Sequence, residues 1–145
     1  FNETFRQIFA GGRAKLELTD PHDLLTTGVD IMAQPPGKKN RHLNLLSGGE
    51  RALTAITLLF AILKVRPVPF AILDEPEAAL DEVNVQRFAN YLQRFGKEGP
   101  QFIVITHRKG TMMGVDVLYG VTMQESGVSK MVSVDVIDTL NDQEE

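Results

Sequence analysis

The sequence contains no cysteine, which excludes disulfides, thiolate metal sites and a cysteine nucleophile, and is compatible with a reducing compartment. It has no excess of positive charge either. Fifteen basic against nineteen acidic residues leave a net charge of −4, which argues against nucleic-acid binding by bulk charge, so that any basic patch must be found by position. Long apolar runs are missing: the longest, Ala52 to Leu63, is interrupted by Thr54 and Thr57 and stops at Lys64. That is short of the ~20 residues a bilayer crossing needs, and a soluble protein is expected. Phe1-Asn2-Glu3-Thr4-Phe5-Arg6 carries no initiator methionine and no basic-then-apolar targeting pattern, and reads as a cut inside a longer chain. There is no internal repeat. There is also no phosphate-cradling G-x-x-x-x-G-K-[ST] loop. Gly37-Lys38 has Met32 at the first glycine position and Lys39 at the last; Gly96-Lys97 has Tyr91 and Glu98.

What remains is an ordinary globular composition. The 145 residues are 43% hydrophobic and 23% charged, and a chain of this size buries roughly 68–70% of its unfolded surface, so one domain with its own core is expected. Phe1, Phe5, Ile8 and Phe9 recur at helical spacing and Gly11-Gly12 end the pattern, predicting a leading helix over residues 1–10. Ala14 to Leu18 and Gly28 to Ala33 read as antiparallel strands around the turn-rich Asp20-Pro21-His22-Asp23, and Pro35 to Arg41 as an exposed loop. The run from Ala52 to Leu63 predicts a buried helix. Phe70 to Leu73 and Phe102 to Ile105 are short continuous apolar runs, the pattern of strands covered on both faces. Between them Glu82 to Phe95 predicts a helix with Val85, Phe88, Ala89 and Leu92 inward. The expected class is therefore α/β, a parallel strand-helix-strand layer with flanking antiparallel strands. Asp116 to Met123 and Ser129 to Ile137 predict two further strands joined by Gln124-Glu125-Ser126-Gly127, and residues 138–145 an acidic tail.

Chemistry concentrates at three places. Asp74-Glu75 ends a buried strand, where α/β sheets place ligands; one carboxylate can hold Mg²⁺ and its neighbour can orient or deprotonate a water, although two acids opening a loop would look the same. Ser47-Gly48-Gly49-Glu50 fits a capping box ahead of the long helix, and the adjacent glycines suit a backbone that something approaches closely; both readings can hold together, the cap presenting Ser47 and the amides to an anion. His107 ends the second strand, where it is either a hydrogen-bonded structural residue or a donor to a terminal phosphate. Asp81 reads as an N-cap. His22 and His42 read as surface residues, and Lys38, Lys39 and Arg41 as a solvated turn or a phosphate-contacting loop.

In order, Leu46-Ser47-Gly48-Gly49-Glu50, Phe70 to Glu75, Ala79-Leu80-Asp81 and Ile105-Thr106-His107 resemble the signature motif, Walker B, D-loop and H-loop of an ABC-type ATPase. Pro35 to Lys39, Glu77 to Glu82, Gln101 to Arg108 and Tyr119 to Met123 make the sequence similar to the C-terminal half of the ATPase head of a structural-maintenance-of-chromosomes (SMC) protein, bacterial condensin type, from about Phe5 to Ile137. The resemblance implies a split ATPase whose Walker A lies in a separate N-terminal lobe beyond a coiled coil. It implies ATP and Mg²⁺ as cofactors, Asp74 holding the water shell of Mg²⁺, Glu75 polarising the attacking water and His107 contacting the γ-phosphate of ATP in the same head. Ser47, Gly48, Gly49 and Glu50 of the signature would face ATP held by a second head, with Asp81 at the junction. The implied partners are the N-terminal lobe, the second head, a kleisin subunit on residues 116–137, and DNA through the assembled complex; the implied place is cytoplasmic and nucleoid-associated, with no membrane. Pro76 departs from the family, which commonly carries an aliphatic residue there while transporter ATPases carry proline; it is expected to push Glu75 toward extended backbone. A transporter or DNA-repair ABC ATPase, and a non-catalytic kleisin-binding module, are the alternative readings.

Overall fold

The computed structural model describes residues 1–39, 41–97 and 99–135, without the side chains of residues 41, 134 and 135. Helix α1 (Asn2–Phe9) is followed by strands β1 (Arg13–Leu18), β2 (Val29–Gln34) and the two-residue β3 (Arg41–His42), which form an antiparallel sheet in that order. Next come α2 (Gly48–Val65), β4 (Phe70–Asp74), α3 (Glu82–Gly96) and β5 (Gln101–Ile105). A four-residue α4 (Lys109–Met112) then precedes the antiparallel hairpin of β6 (Val117–Glu125) and β7 (Val128–Asp135). Strands β4 and β5 pair in parallel, Phe70 opposite Gln101 through Asp74 opposite Ile105, with α3 as the crossover. The α/β class and the parallel layer are as the periodicity predicted.

Local chemistry accounts for the element ends. Ala10 is left-handed (φ 55°) and closes α1, and Gly12, at φ 75°, brings the chain so near β2 that an added Cβ would lie 2.3 Å from the Gln34 carbonyl oxygen; only glycine fits there. The Asn2 side chain accepts from the Ala14 amide at 2.9 Å, tying α1 to β1. Within α2, Thr54 and Thr57 are fully buried because each hydroxyl donates to the carbonyl one turn back, Glu50 and Leu53 respectively, at 2.7 Å. The core runs from Phe5, Ile8 and Phe9 of α1 through Leu53, Ile56 and Phe60 of α2 to Val85, Phe88 and Leu92 of α3. Phe60 is its centre, with the rings of Tyr91, Phe95, Phe102 and Phe88 at 5.0 to 6.1 Å.

Several expectations are corrected. The strands β4 and β5 are covered on one face only. Leu73 is buried and Phe102 and Val104 pack against the core, whereas Phe70, Ile72, Ile103 and Ile105 are 46% to 60% exposed. A continuous apolar run cannot distinguish a strand covered on both faces within one chain from one whose second face lacks a cover. The same holds for α2, expected buried: Leu59, Ile62 and Val65 stand in solvent. Arg41, expected in the loop, opens β3 because His42 and Arg41 pair with Met32 and Ala33. The hairpin turn narrows to Ser126-Gly127, with Gly127 at φ 81°, and the strands extend to meet it. Helix α4, a single turn, was too short for periodicity to show. Residues 136 and 137 of the last predicted strand, and the predicted tail 138–145, lie outside the described residues.

Candidate functional site

Strands β4 and β5, being parallel, deliver their carboxyl ends to one edge, so Asp74-Glu75 and Thr106-His107 become neighbours. The Glu75 amide donates to the Ile105 carbonyl at 2.9 Å, and His107 Nδ1 lies 3.1 Å from Glu75 Oε1. Both side chains are exposed, 69% for His107 and 51% for Glu75, so this pair is available to a ligand and contributes little to stability. Glu75 is not extended, as the following proline led us to expect. Its φ is 43°, a left-handed conformation that costs on the order of 1–3 kcal/mol in a non-glycine residue and persists only where surrounding contacts over-determine it. The Ile105 tie and the turn bond from the Ala78 amide to the Glu75 carbonyl, 3.0 Å, supply that determination. Glu75 and His107 line neither the cleft against α1 nor the one between β2 and the start of α2; both side chains stand exposed at the strand edge.

The second candidate group is at the start of α2. The capping box is present: Ser47 Oγ accepts from the Glu50 amide at 3.4 Å, and the Glu50 carboxylate accepts from the Ser47 amide at 3.1 Å and the Ser47 hydroxyl at 2.9 Å. Lys38 is not a free solvated residue. Its ammonium lies 2.6 Å from Glu50 Oε1 and brings the Pro35–Lys39 loop onto the helix start. Burial pushes the Glu50 carboxyl up, but hydrogen bonds from Lys38 and from the Ser47 amide and hydroxyl, with the Lys38 charge, outweigh it and hold the group below the ordinary glutamate value. A depressed folded-state value means stability that is present above the unfolded-state value and lost as pH falls through the folded one. We expect Glu50→Gln to remove part of the acid-limb dependence of the melting temperature, below about pH 4.3, with little change in its slope at neutral pH; a melting series from pH 3 to 7, on the order of that window, checks it.

Asp81 is the N-cap of α3, accepting from the Asn84 amide at 2.9 Å and from the Asn84 side chain at 3.2 Å. A Cβ placed on Gly49 would lie 3.6 Å from the Ala79 carbonyl and 3.9 Å from the Asp81 carboxylate, so the turn before α3 and the start of α2 share one surface. His22 and His42 are exposed, as expected. Sequence reasoning missed Glu77. It is 1% exposed and accepts from the hydroxyls of Thr106 and of Thr111, the latter at 2.7 Å. An acidic residue in a turn gives no local sign of burial; its partners are far away in sequence. Asp74 is exposed at the strand end, and among the described residues no group of three or more His, Cys, Asp or Glu side chains could enclose a metal ion. One or two carboxylates at an open edge fit Mg²⁺, which takes its other ligands from phosphate and water.

Comparison with known proteins settles the family. The family described as RecF/RecN/SMC N terminal domain matches residues 14–130. The chain belongs to that family. It is 71% identical over 143 residues, 99% of its length, to the chromosome partition protein Smc of Lactiplantibacillus plantarum, of which it spans 12%. Among solved structures, it is similar to a chain from work on ATP-driven dimerization and DNA-stimulated activation of SMC ATPases, with TM-score 0.83, 39% identity, and coverage of 99% of this chain and 88% of that one. The Smc head domain of Pyrococcus furiosus with an extended coiled coil, bound to the C-terminal domain of ScpA, matches with TM-score 0.84 and 42% identity over 99% of this chain and 35% of that one. The fold is that of SMC ATPase heads. These matches establish SMC family membership and head fold, and the matched family description names an N-terminal domain.

Proposed function

We propose that this chain is the C-terminal lobe of an SMC ATPase head, completing an ATP site with an N-terminal lobe that carries the phosphate cradle. The observation that carries the reading is the Glu75–His107 contact, 3.1 Å, at the carboxyl edge of a parallel pair whose second face is bare apolar surface. The lobe assignment departs from the N-terminal wording of the matched family description. It rests on the absence of G-x-x-x-x-G-K-[ST] from this sequence and on an uncovered sheet face of the kind a missing lobe would take.

In this reading ATP with Mg²⁺ supplies the phosphoryl group and its charge neutralisation. Asp74 orders the water shell of the cation, Glu75 holds and deprotonates the attacking water, and His107 donates to the terminal phosphate. Ser47, Gly48, Gly49 and Glu50 face the nucleotide of a second head, with Asp81 at the junction. Gly48 supports this: among the described residues, nothing beyond its chain neighbours and its own helix turn lies within 4 Å of where its Cβ would stand. Internal packing therefore gives no reason for a glycine at this first helical position. The Gly48 and Gly49 amides of the first turn are the donors an anion would take; the Ser47 hydroxyl, which donates to the Glu50 carboxylate at 2.9 Å, would have to turn from it to join them. The hairpin of β6 and β7 leaves Tyr119, Val121, Met123 and Met131 62% to 73% exposed. That surface suits a kleisin-type partner, and chromosome segregation with DNA contact belongs to the assembled protein. No helix among the described residues is long and apolar enough to cross a membrane; a cytoplasmic, nucleoid-associated place is part of this reading.

The test is ATP turnover. The chain alone should release no phosphate above background, and adding a lobe that bears a Walker A sequence should restore turnover. Appreciable hydrolysis by the chain alone overturns the lobe assignment.

A further inference from the structure

The turns after β4 and β5 are laced together by three successive residues of the second. The Ile105 carbonyl accepts from the Glu75 amide, the Thr106 hydroxyl donates to Glu77 Oε1, and His107 Nδ1 meets Glu75 Oε1. The outer two ties differ in kind from the middle one. The first continues the backbone pairing of the sheet. The third joins two exposed side chains, each free to adopt other rotamers, and cannot hold a geometry against solvent. The middle tie is buried. Glu77 is 1% exposed, and its Oε1 also accepts from Thr111, which is fully buried on α4. The Thr106 oxygen in turn accepts from the Arg108 amide at 3.0 Å, so its single proton is directed at Glu77. Arg108 reaches back across the same gap to the Leu80 carbonyl at 3.2 Å.

Burying a carboxyl group in this turn is unfavourable unless its acceptor capacity is used. Here one oxygen is used twice and the other, Oε2, has no partner among the described residues. A stability role alone would be served as well by an apolar side chain filling the same volume. Instead the acid joins the two loops that carry the reacting groups, at the one residue between Ile105 and His107. Thr106 cannot shift without moving His107, and the turn holding Glu77 cannot shift without moving Glu75, two residues before it.

We infer that Glu77 is a positioning residue: by holding Thr106 and Thr111 on one carboxyl oxygen, it keeps the left-handed Glu75 and His107 in register for ATP hydrolysis. The inference rests on the proposed ATPase reading. It assigns Glu77 no contact with nucleotide, since its burial keeps it from the open edge. What the position requires is an acceptor oxygen and not a charge, because both donors are neutral hydroxyls.

The experiment uses the full-length protein and steady-state phosphate release. In Glu77→Leu, kcat should fall by about 10- to 100-fold with KM changed by less than about threefold, the pattern of reacting groups misplaced by around 1 Å while nucleotide still binds. Glu77→Gln keeps the acceptor oxygen and should recover most of the lost rate. Thr106→Val removes only the donor and should reproduce the loss of kcat even if Glu77→Leu does not fold. Combined with His107→Gln, the loss at position 106 should be less than additive. Wild-type kcat in Thr106→Val, a KM that rises in step with the loss, or a loss that Glu77→Gln fails to recover overturns the assignment. Absence of turnover in the wild-type full-length protein is a different result: it overturns the ATPase reading on which the assignment rests.

Discussion

Glu75→Gln is expected to reduce ATP hydrolysis by the assembled head about 10²- to 10⁴-fold, the range over which a positioned general base acts, while leaving ATP binding intact and accumulating ATP-held dimers. The side chain is half exposed at the carboxyl end of β4, where a water and a terminal phosphate can both reach it. Its left-handed backbone, φ 43°, is held by the Ile105 carbonyl. Glutamine has the same shape and can keep the contact with His107, but its amide cannot take up a proton. The geometry therefore survives and the chemistry does not. Glu77 cannot substitute, being buried and committed to two threonines. Phosphate release together with size-exclusion chromatography in ATP measures both halves of the expectation, and unchanged hydrolysis would move the base elsewhere.

Ile72→Asp is expected to weaken association with the N-terminal lobe by at least about 100-fold, or ~2.8 kcal/mol at 1.4 kcal/mol per tenfold, while leaving this chain folded. Phe70, Ile72, Ile103 and Ile105 form one patch on the open face of β4 and β5, Ile72 directly opposite Ile103. Fully burying such a side chain stabilises by about 1.5–3 kcal/mol, and these four are only half covered, so docking a second layer would gain a substantial part of that from each. A carboxylate in the middle of the patch would be desolvated without a partner on this face. In the chain alone Ile72 is already 60% exposed, and the melting temperature should hardly move, as for surface substitutions worth within about 0.5 kcal/mol. Co-purification or titration calorimetry with the separate lobe gives the affinity. Docking at wild-type strength would show that this face is not where the lobe sits.

Much of the fold was legible because its determinants are local. The helix face of Val85, Phe88, Ala89 and Leu92 is set by a 3.6-residue period, and the capping box at Ser47 and Glu50 and the cap at Asp81 span three residues each. Parallel pairing followed from two apolar runs separated by a helix. The errors share one cause. Coverage of Ile72 and Ile103, exposure of Leu59 and Ile62 on α2, and burial of Glu77 depend on what packs from elsewhere, which no window of neighbouring residues contains. The left-handed Glu75 was misjudged because the preference of a residue before proline was outweighed by a bond to the next strand.

By itself, then, the sequence determined the order of the longer elements and the caps at Ser47 and Asp81, because those follow from spacing along the chain. Only the tertiary structure decided that Glu75 touches His107, that Lys38 folds onto Glu50, that Glu77 locks the two loops together, and that one face of the central strands is left bare. Each of these brings together residues distant in sequence or leaves a surface uncovered, and contact and coverage are properties of packing in three dimensions.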